Sequence, residues 1–141
     1  MKIIETPEAP AAVGPYSQSV AAHGFLFLSG QIALDPATGE IVGETIEEQA
    51  RRVMRNIEAV LKAAGTDFSR VVKTTCFLKH MSDFAPFNAV YEEFFVSRPA
   101  RSCVAAAQLP RDVLVEVEVI ALLPSACKNG CCCSKDSEDS K

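Results

Sequence analysis

Apolar residues recur along this chain with two periods, and the changes from one period to the other predict its elements. Ile46, Ala50, Val53, Met54, Ile57, Val60, Leu61 and Ala64 fall three and four residues apart, while Glu47, Glu48, Arg51, Arg52 and Glu58 occupy the remaining arc. That spacing predicts an amphipathic helix. Thr45 followed by Glu48 is a capping-box signature at its start, and Gly65 stands where a left-handed stop belongs. A second helix is predicted after Asp83 as N-cap, with Pro86 tolerated in its first turn. It presents Phe84, Phe87, Val90, Tyr91, Phe94 and Phe95 before Pro99 ends it.

Strand signals surround the helices at Gly24 to Ser29, Val71 to Lys79, Ala100 to Ala107 and Val113 to Leu123, with weaker candidates near Ile3 and Ser19. Strands, helix, strand, helix, strands is the order of an α/β sandwich with a mixed sheet. Asp35-Pro36-Ala37-Thr38-Gly39-Glu40 reads as turn chemistry, and no fixed-period repeat is present.

The last strand carries two rows of different character. Val113, Val115, Val117 and Val119 alternate with Leu114, Glu116, Glu118, Ile120 and Leu122, so one face is uniformly apolar and the other mixes aliphatics with two carboxylates. Two helices cover only one face of a sheet. The mixed row is a poor core and a poor solvent face, and its simplest resolution is burial against another copy of the chain, with acids kept at a partly wet interfacial pocket. A solvent face with a few stray aliphatics is the alternative.

Composition narrows the class. At 141 residues the chain is one domain's worth of polypeptide, and 48% hydrophobic with 23% charged residues is ordinary globular usage. The net charge of −4 argues against a nucleic-acid footprint. Apolar runs such as Val119 to Leu123 are far too short to span a bilayer, and early carboxylates at Glu5 and Glu8 do not suit a secretory leader, so a cytoplasmic protein without membrane partners is expected. Residues 1–124 form the expected domain. Residues 125–141 lack large apolar side chains and are expected to be a flexible tail that gathers Cys127, Cys131, Cys132 and Cys133, four of the six cysteines. Cys127-x-x-x-Cys131 is not a zinc-finger pair, so incidental tail cysteines are the simplest reading, with metal capture, lipid attachment and redox exchange left open.

Nucleotide and zincin signatures are absent: the chain has no G-x-x-x-x-G-K-[ST], G-x-G-x-x-G or H-E-x-x-H. Its only histidines, His23 and His80, are isolated and border turns. Candidate chemistry falls instead on Arg101 and Cys103, two apart on one predicted strand and therefore on one face. Small neighbours leave room around the Arg101 guanidinium, whose planar fork suits a carboxylate; structural pairing with Glu116 or Glu118 is equally compatible. Tyr16 after Gly14-Pro15, Ser29-Gly30-Gln31 at a strand end, and Asn88 within the second helix are further polar positions with ordinary structural explanations.

Taken together, Ala11-Ala12-Val13-Gly14-Pro15-Tyr16-Ser17-Gln18, Leu28-Ser29-Gly30-Gln31-Ile32, Phe87-Asn88-Ala89-Val90-Tyr91, Pro99-Ala100-Arg101-Ser102-Cys103-Val104, Leu109-Pro110 and Glu116-Val117-Glu118 resemble the Rid family. The resemblance is to its reactive intermediate deaminase A subgroup, the YjgF-like or L-PSP-type proteins, and runs from about residue 3 to 123. It implies a chorismate-mutase-like fold, with a mixed six-stranded sheet and two helices packed on one face, and a homotrimer with clefts between subunits. It also implies a 2-iminobutanoate/2-iminopropanoate deaminase activity that hydrolyses enamines and imines such as 2-aminoacrylate to 2-keto acids and ammonia, without a cofactor or metal. On this likeness Arg101 binds the substrate carboxylate, Glu116 handles water, and Tyr16, Ser29, Gly30, Asn88, Cys103 and Pro110 line the pocket. Arg98 departs from the aromatic residue common before Pro-Ala-Arg. An endoribonuclease that inhibits translation, or a non-catalytic metabolite-binding trimer, is the rival reading.

Overall fold

The computed structural model describes residues 1–125; the cysteine-rich segment from Cys127 onward lies outside them. Six strands form one sheet: β1 (Lys2–Ile4), β2 (Ser19–Ala22), β3 (Phe25–Gln31), β4 (Val71–Leu78), β5 (Ala100–Ala105) and β6 (Val115–Leu122). Two α-helices, α1 (Ile46–Ala63) and α2 (Phe84–Phe94), accompany the sheet among the described residues. The spatial order is β1-β2-β3-β6-β4-β5, antiparallel except for the parallel pair β4 and β5.

That order explains why one face is covered. From β3 the chain crosses through α1 to β4, passing over the place β6 will take, and from β4 it crosses through α2 to β5. Both crossovers advance in the same direction along the sheet, and crossovers of this kind are right-handed, so both helices land on the same side.

Local chemistry fixes α1 as expected. Thr45 caps the Glu48 amide while the Glu48 carboxylate returns to the Thr45 amide at 3.2 Å, and Gly65 takes the left-handed conformation (φ 75°) that ends the helix. Its stripe of Ile46, Ala50, Val53, Met54, Ile57, Val60 and Leu61 is buried against Leu26, Leu28 and the Val115, Val117, Val119 row of β6. Each large aliphatic side chain removed from water there contributes roughly 1.5–3 kcal/mol before ordering costs.

The second helix differs from expectation at its start. Asp83 makes no capping hydrogen bond; a 3-10 turn over Met81–Asp83 delivers the chain into Phe84 instead. The strands near Ile3 and Ser19 are present but short, and the other strand ends move by up to two residues from their predicted limits.

Among the described residues the opposite face of the sheet carries no helix. Phe25 pairs in register with Leu122, and Phe27 with both Val20 and Ile120, giving apolar rows that run across strands. Phe27 is 46% exposed and Ile3, next to Val20, 53%. Rows of aromatic and aliphatic side chains thus face outward on this side. Among the described residues no helix is long and apolar enough to cross a membrane.

Candidate active site

The candidate residues form two clusters, one on each face of the sheet. On the helix side, Arg101 extends from β5 beneath α2 and donates from Nη1 to Asn88 Oδ1 at 2.8 Å. Its guanidinium lies 4.7 Å from the Tyr91 ring centroid and 5.4 Å from that of Phe84. Phe84, Asn88 and Tyr91 are four and three residues apart, so they share the arc of α2 that overhangs β5. Cys103 follows on the same face, and burial pushes its thiol up against the opposing pull of Arg101. Its register partner on β4 is the buried Cys76, pushed up to about 12 by desolvation.

Neither glutamate pairs with Arg101, which decides the alternative raised by spacing. The four ion pairs of the described residues are Arg51–Glu93, Arg55–Glu58, Lys79–Asp112 and Arg111–Glu40, and Asn88 is the Arg101 side chain's partner. A neutral acceptor leaves the positive charge uncompensated, and among the described residues four of the five N–H donors meet no acceptor. A group arranged this way is ready to take an anion.

On the open side, Glu116 projects between Val115 and Val117 into a cavity of about 420 Å3 lined by Tyr16, Ser29, Gly30, Ile32, Pro110, Glu116 and Glu118. Strand β3 loses its regular register with β6 between Leu28 and Gln31, an irregularity that re-aims Ser29 and Gly30. Ser29 Oγ then donates to Ser17 O at 2.6 Å. The Glu116 carboxylate packs on the bare Cα of Gly30; a Cβ there would overlap it. Burial first, and the neighbouring Glu118 charge second, raise the Glu116 pKa above the usual carboxylate value.

Tyr16 and Pro110 are placed by the loops around this cavity. Gln18 Nε2 holds the N-terminal segment by donating to Thr6 O, Ala9 O and Pro10 O, and the Tyr16 hydroxyl accepts from Val13 N at 3.3 Å. Tyr16 is exposed rather than packed. Pro110 opens a turn in which Arg111 and Asp112 adopt left-handed φ values of 55° and 57°, tied down by Arg111 to Gly39 O and by Lys79 to Asp112. Among the described residues no cluster of three metal-ligating side chains occurs.

Thus Tyr16, Ser29, Gly30, Pro110 and Glu116 come together, as do Arg101, Asn88 and Cys103, but the two groups do not meet within one chain. Thr74 and the aromatic pair Phe84 and Tyr91 belong with the second group, beyond the site residues that the sequence points to. The spacing of the aromatics around Asn88 on α2 was the available signal.

Residues 6–123 match the sequence model of the family described as Endoribonuclease L-PSP. The chain belongs to this family, that of the Rid and YjgF proteins. A RutC family protein of Synechocystis is 57% identical over 128 residues, covering 89% of this chain and 98% of that protein. The 2-iminobutanoate/2-iminopropanoate deaminase of Salmonella typhimurium is 48% identical over 125 residues, covering 86% of this chain and 97% of its own length. Among solved structures, Escherichia coli TdcF with bound serine superposes with a TM-score of 0.83 at 44% identity, covering 88% of this chain and all of that one. The six-stranded mixed sheet with two helices is thus the L-PSP, chorismate-mutase-like fold.

Proposed function

We propose that this Rid-family protein hydrolyses 2-imino acids, and the 2-enamino acids that tautomerise to them, in clefts between copies of the chain arranged as a homotrimer. The observation that carries the reading is the division of the candidate site. A carboxylate receptor, Arg101 with Asn88, lies on one sheet face, and a desolvated acid, Glu116 against Gly30, lies on the other. Each half is incomplete alone, and a neighbouring copy seated against the open face supplies the missing half.

In such a cleft Arg101 grips the substrate carboxylate through its unengaged N–H groups and sets the position of C2. Glu116 of the adjacent copy holds the attacking water. As the water oxygen bonds to C2, the C=N π pair moves to nitrogen; Glu116 takes a water proton and delivers it there, giving a carbinolamine. The hydroxyl oxygen then re-forms a C=O bond, the C–N bond breaks, and its proton passes to nitrogen by the same carboxylate. Both water protons leave as part of ammonia, and a 2-keto acid remains. A carboxylate with a raised proton affinity suits this relay, since it must both take and return a proton. Cys103 needs no covalent role, and burial keeps its thiol protonated.

The name of the Salmonella relative supports imine chemistry, and the serine bound to TdcF supports an amino-acid-sized ligand. The net charge of −4 weighs against an RNA substrate. The test is pyruvate formation from 2-aminoacrylate generated in situ from serine, coupled to lactate dehydrogenase. Acceleration over uncatalysed decay is expected, and a rate equal to that decay would refute the reading.

A further inference from the structure

Beneath Arg101 lies a buried polar and aromatic assembly that the hydrolytic mechanism does not use. Thr74 of β4 is the register partner of Arg101 on β5 and has no exposed surface. Its Oγ1 lies 2.8 Å from Tyr91 Oη and accepts from Cys76 Sγ at 3.8 Å. The Tyr91 ring, 4.7 Å from the Arg101 guanidinium carbon, is stacked on Phe95 at 4.4 Å with an interplanar angle of 30° and leans on Phe87 at 5.8 Å. The tyrosine is thereby fixed at both ends, its ring between helix aromatics and its hydroxyl on the sheet.

We propose that Tyr91 is a positioning residue whose anchored ring, with Thr74 as its tether, sets the orientation in which Arg101 presents its fork to a substrate carboxylate. The inference rests on the imine-hydrolase reading above. Phenylalanine would suffice for packing at this depth, so the hydroxyl requires a reason; its bond to Thr74 ties the platform to the residue beside Arg101. An arginine side chain has several rotatable bonds and is costly to order, whereas one resting on a fixed ring and bonded to Asn88 is pre-organised. The surface of the guanidinium occupied by Tyr91 and Phe84 is apolar, which leaves its N–H edge for the ligand.

The experiment compares Tyr91→Phe, Tyr91→Leu and Thr74→Val with the full-length parent, each alone and combined with Arg101→Lys, measuring kcat and KM for 2-iminopropanoate and the affinity for pyruvate. Tyr91→Leu is expected to raise KM and weaken pyruvate binding about 3- to 30-fold, the range of a partly desolvated cation–π contact, with a smaller change in kcat. Tyr91→Phe keeps the ring but cuts the tether to Thr74, so it should raise KM by the roughly 2- to 5-fold expected of Thr74→Val, well short of the loss in Tyr91→Leu. In the Arg101→Lys background the leucine change should add less than about 2-fold, because the group it positions is gone. Equal losses in both backgrounds, or an unchanged KM with only a lowered melting temperature, would make Tyr91 a packing residue and overturn the proposal. If Tyr91→Leu does not fold, Thr74→Val decides: a KM rise of roughly 2- to 5-fold, absent with Arg101→Lys, is expected. Failure of the parent protein to accelerate hydrolysis would instead remove the reading on which the inference stands.

Discussion

Arg101 and Glu116 project from opposite faces of one sheet. Their register partners on β4 are Thr74 and Phe77, and β5 and β6 flank that strand on either side. Three residues along a strand and two strand spacings across it put the two backbones about 14 Å apart, before the side chains diverge further. No three-carbon substrate spans that distance through a sheet. For both to act on one substrate, as proposed, they must come from two copies of the chain.

Arg101→Ala should lower kcat/KM for 2-iminopropanoate by about 10- to 150-fold, the equivalent of roughly 1.5–3 kcal/mol for hydrogen bonds to a charged group. Arg101→Lys should recover little of it, since an ammonium cannot reproduce the fork that Asn88 leaves available. Steady-state kinetics of the two variants check both statements.

Gly30→Ala should abolish most activity while leaving the fold intact. The added methyl group overlaps the Glu116 carboxylate, the far end of a side chain that can swing away, and Gly30 has no left-handed φ for alanine to strain. The measurement is activity beside thermal unfolding: a loss of 10-fold or more with a melting temperature within a few degrees of the parent is expected.

The acid limb of kcat/KM should lie above the ordinary carboxylate range, because the ionised form of Glu116 is disfavoured by burial and by Glu118. Glu118→Gln removes the second cause and should shift that limb to lower pH. The same raised pKa has a stability consequence. A folded-state pKa above the unfolded one contributes stability at low pH that is lost as pH rises through the folded pKa, so in the isolated chain Glu116→Gln should stabilise at neutral pH.

Cys103→Ala should retain substantial activity. Its thiol is pushed up by burial, no histidine flanks it, and imine hydrolysis needs no covalent intermediate. Complete loss in an assembled, folded variant would restore a nucleophilic role to it.

Much of the fold was legible because it is written locally. Thr45 and Glu48 cap α1 within four residues of sequence, and the valines of β6 declare their buried face by strict alternation. Strands β1 and β2 were faint because three and four residues carry little periodicity. The site was legible as residue types but not as partners. Alternation places Arg101 and Cys103 on one face and Ser102 and Val104 on the other; the charged residue is on the face that meets α2, against the usual rule, so β5 alone does not say which face meets the helices. The bond to Asn88 in place of a glutamate is a tertiary fact of that kind. Asn56, buried on α1 and donating to Ile32 O and Leu34 O, does carry a sequence signal: an amide set among Val53, Ile57 and Val60 on the apolar stripe.

Complementation between two impaired variants tests the shared site most directly. Arg101→Ala and Glu116→Gln, each strongly impaired alone, are co-expressed at equal levels and assayed for imine hydrolysis, with mixed assemblies verified by native mass spectrometry. A cleft with Arg101 from one copy and Glu116 from the next is intact in about a quarter of sites under random mixing, so activity should return to about a quarter of the parent's. Mixed assemblies no more active than the variants alone would contradict the account.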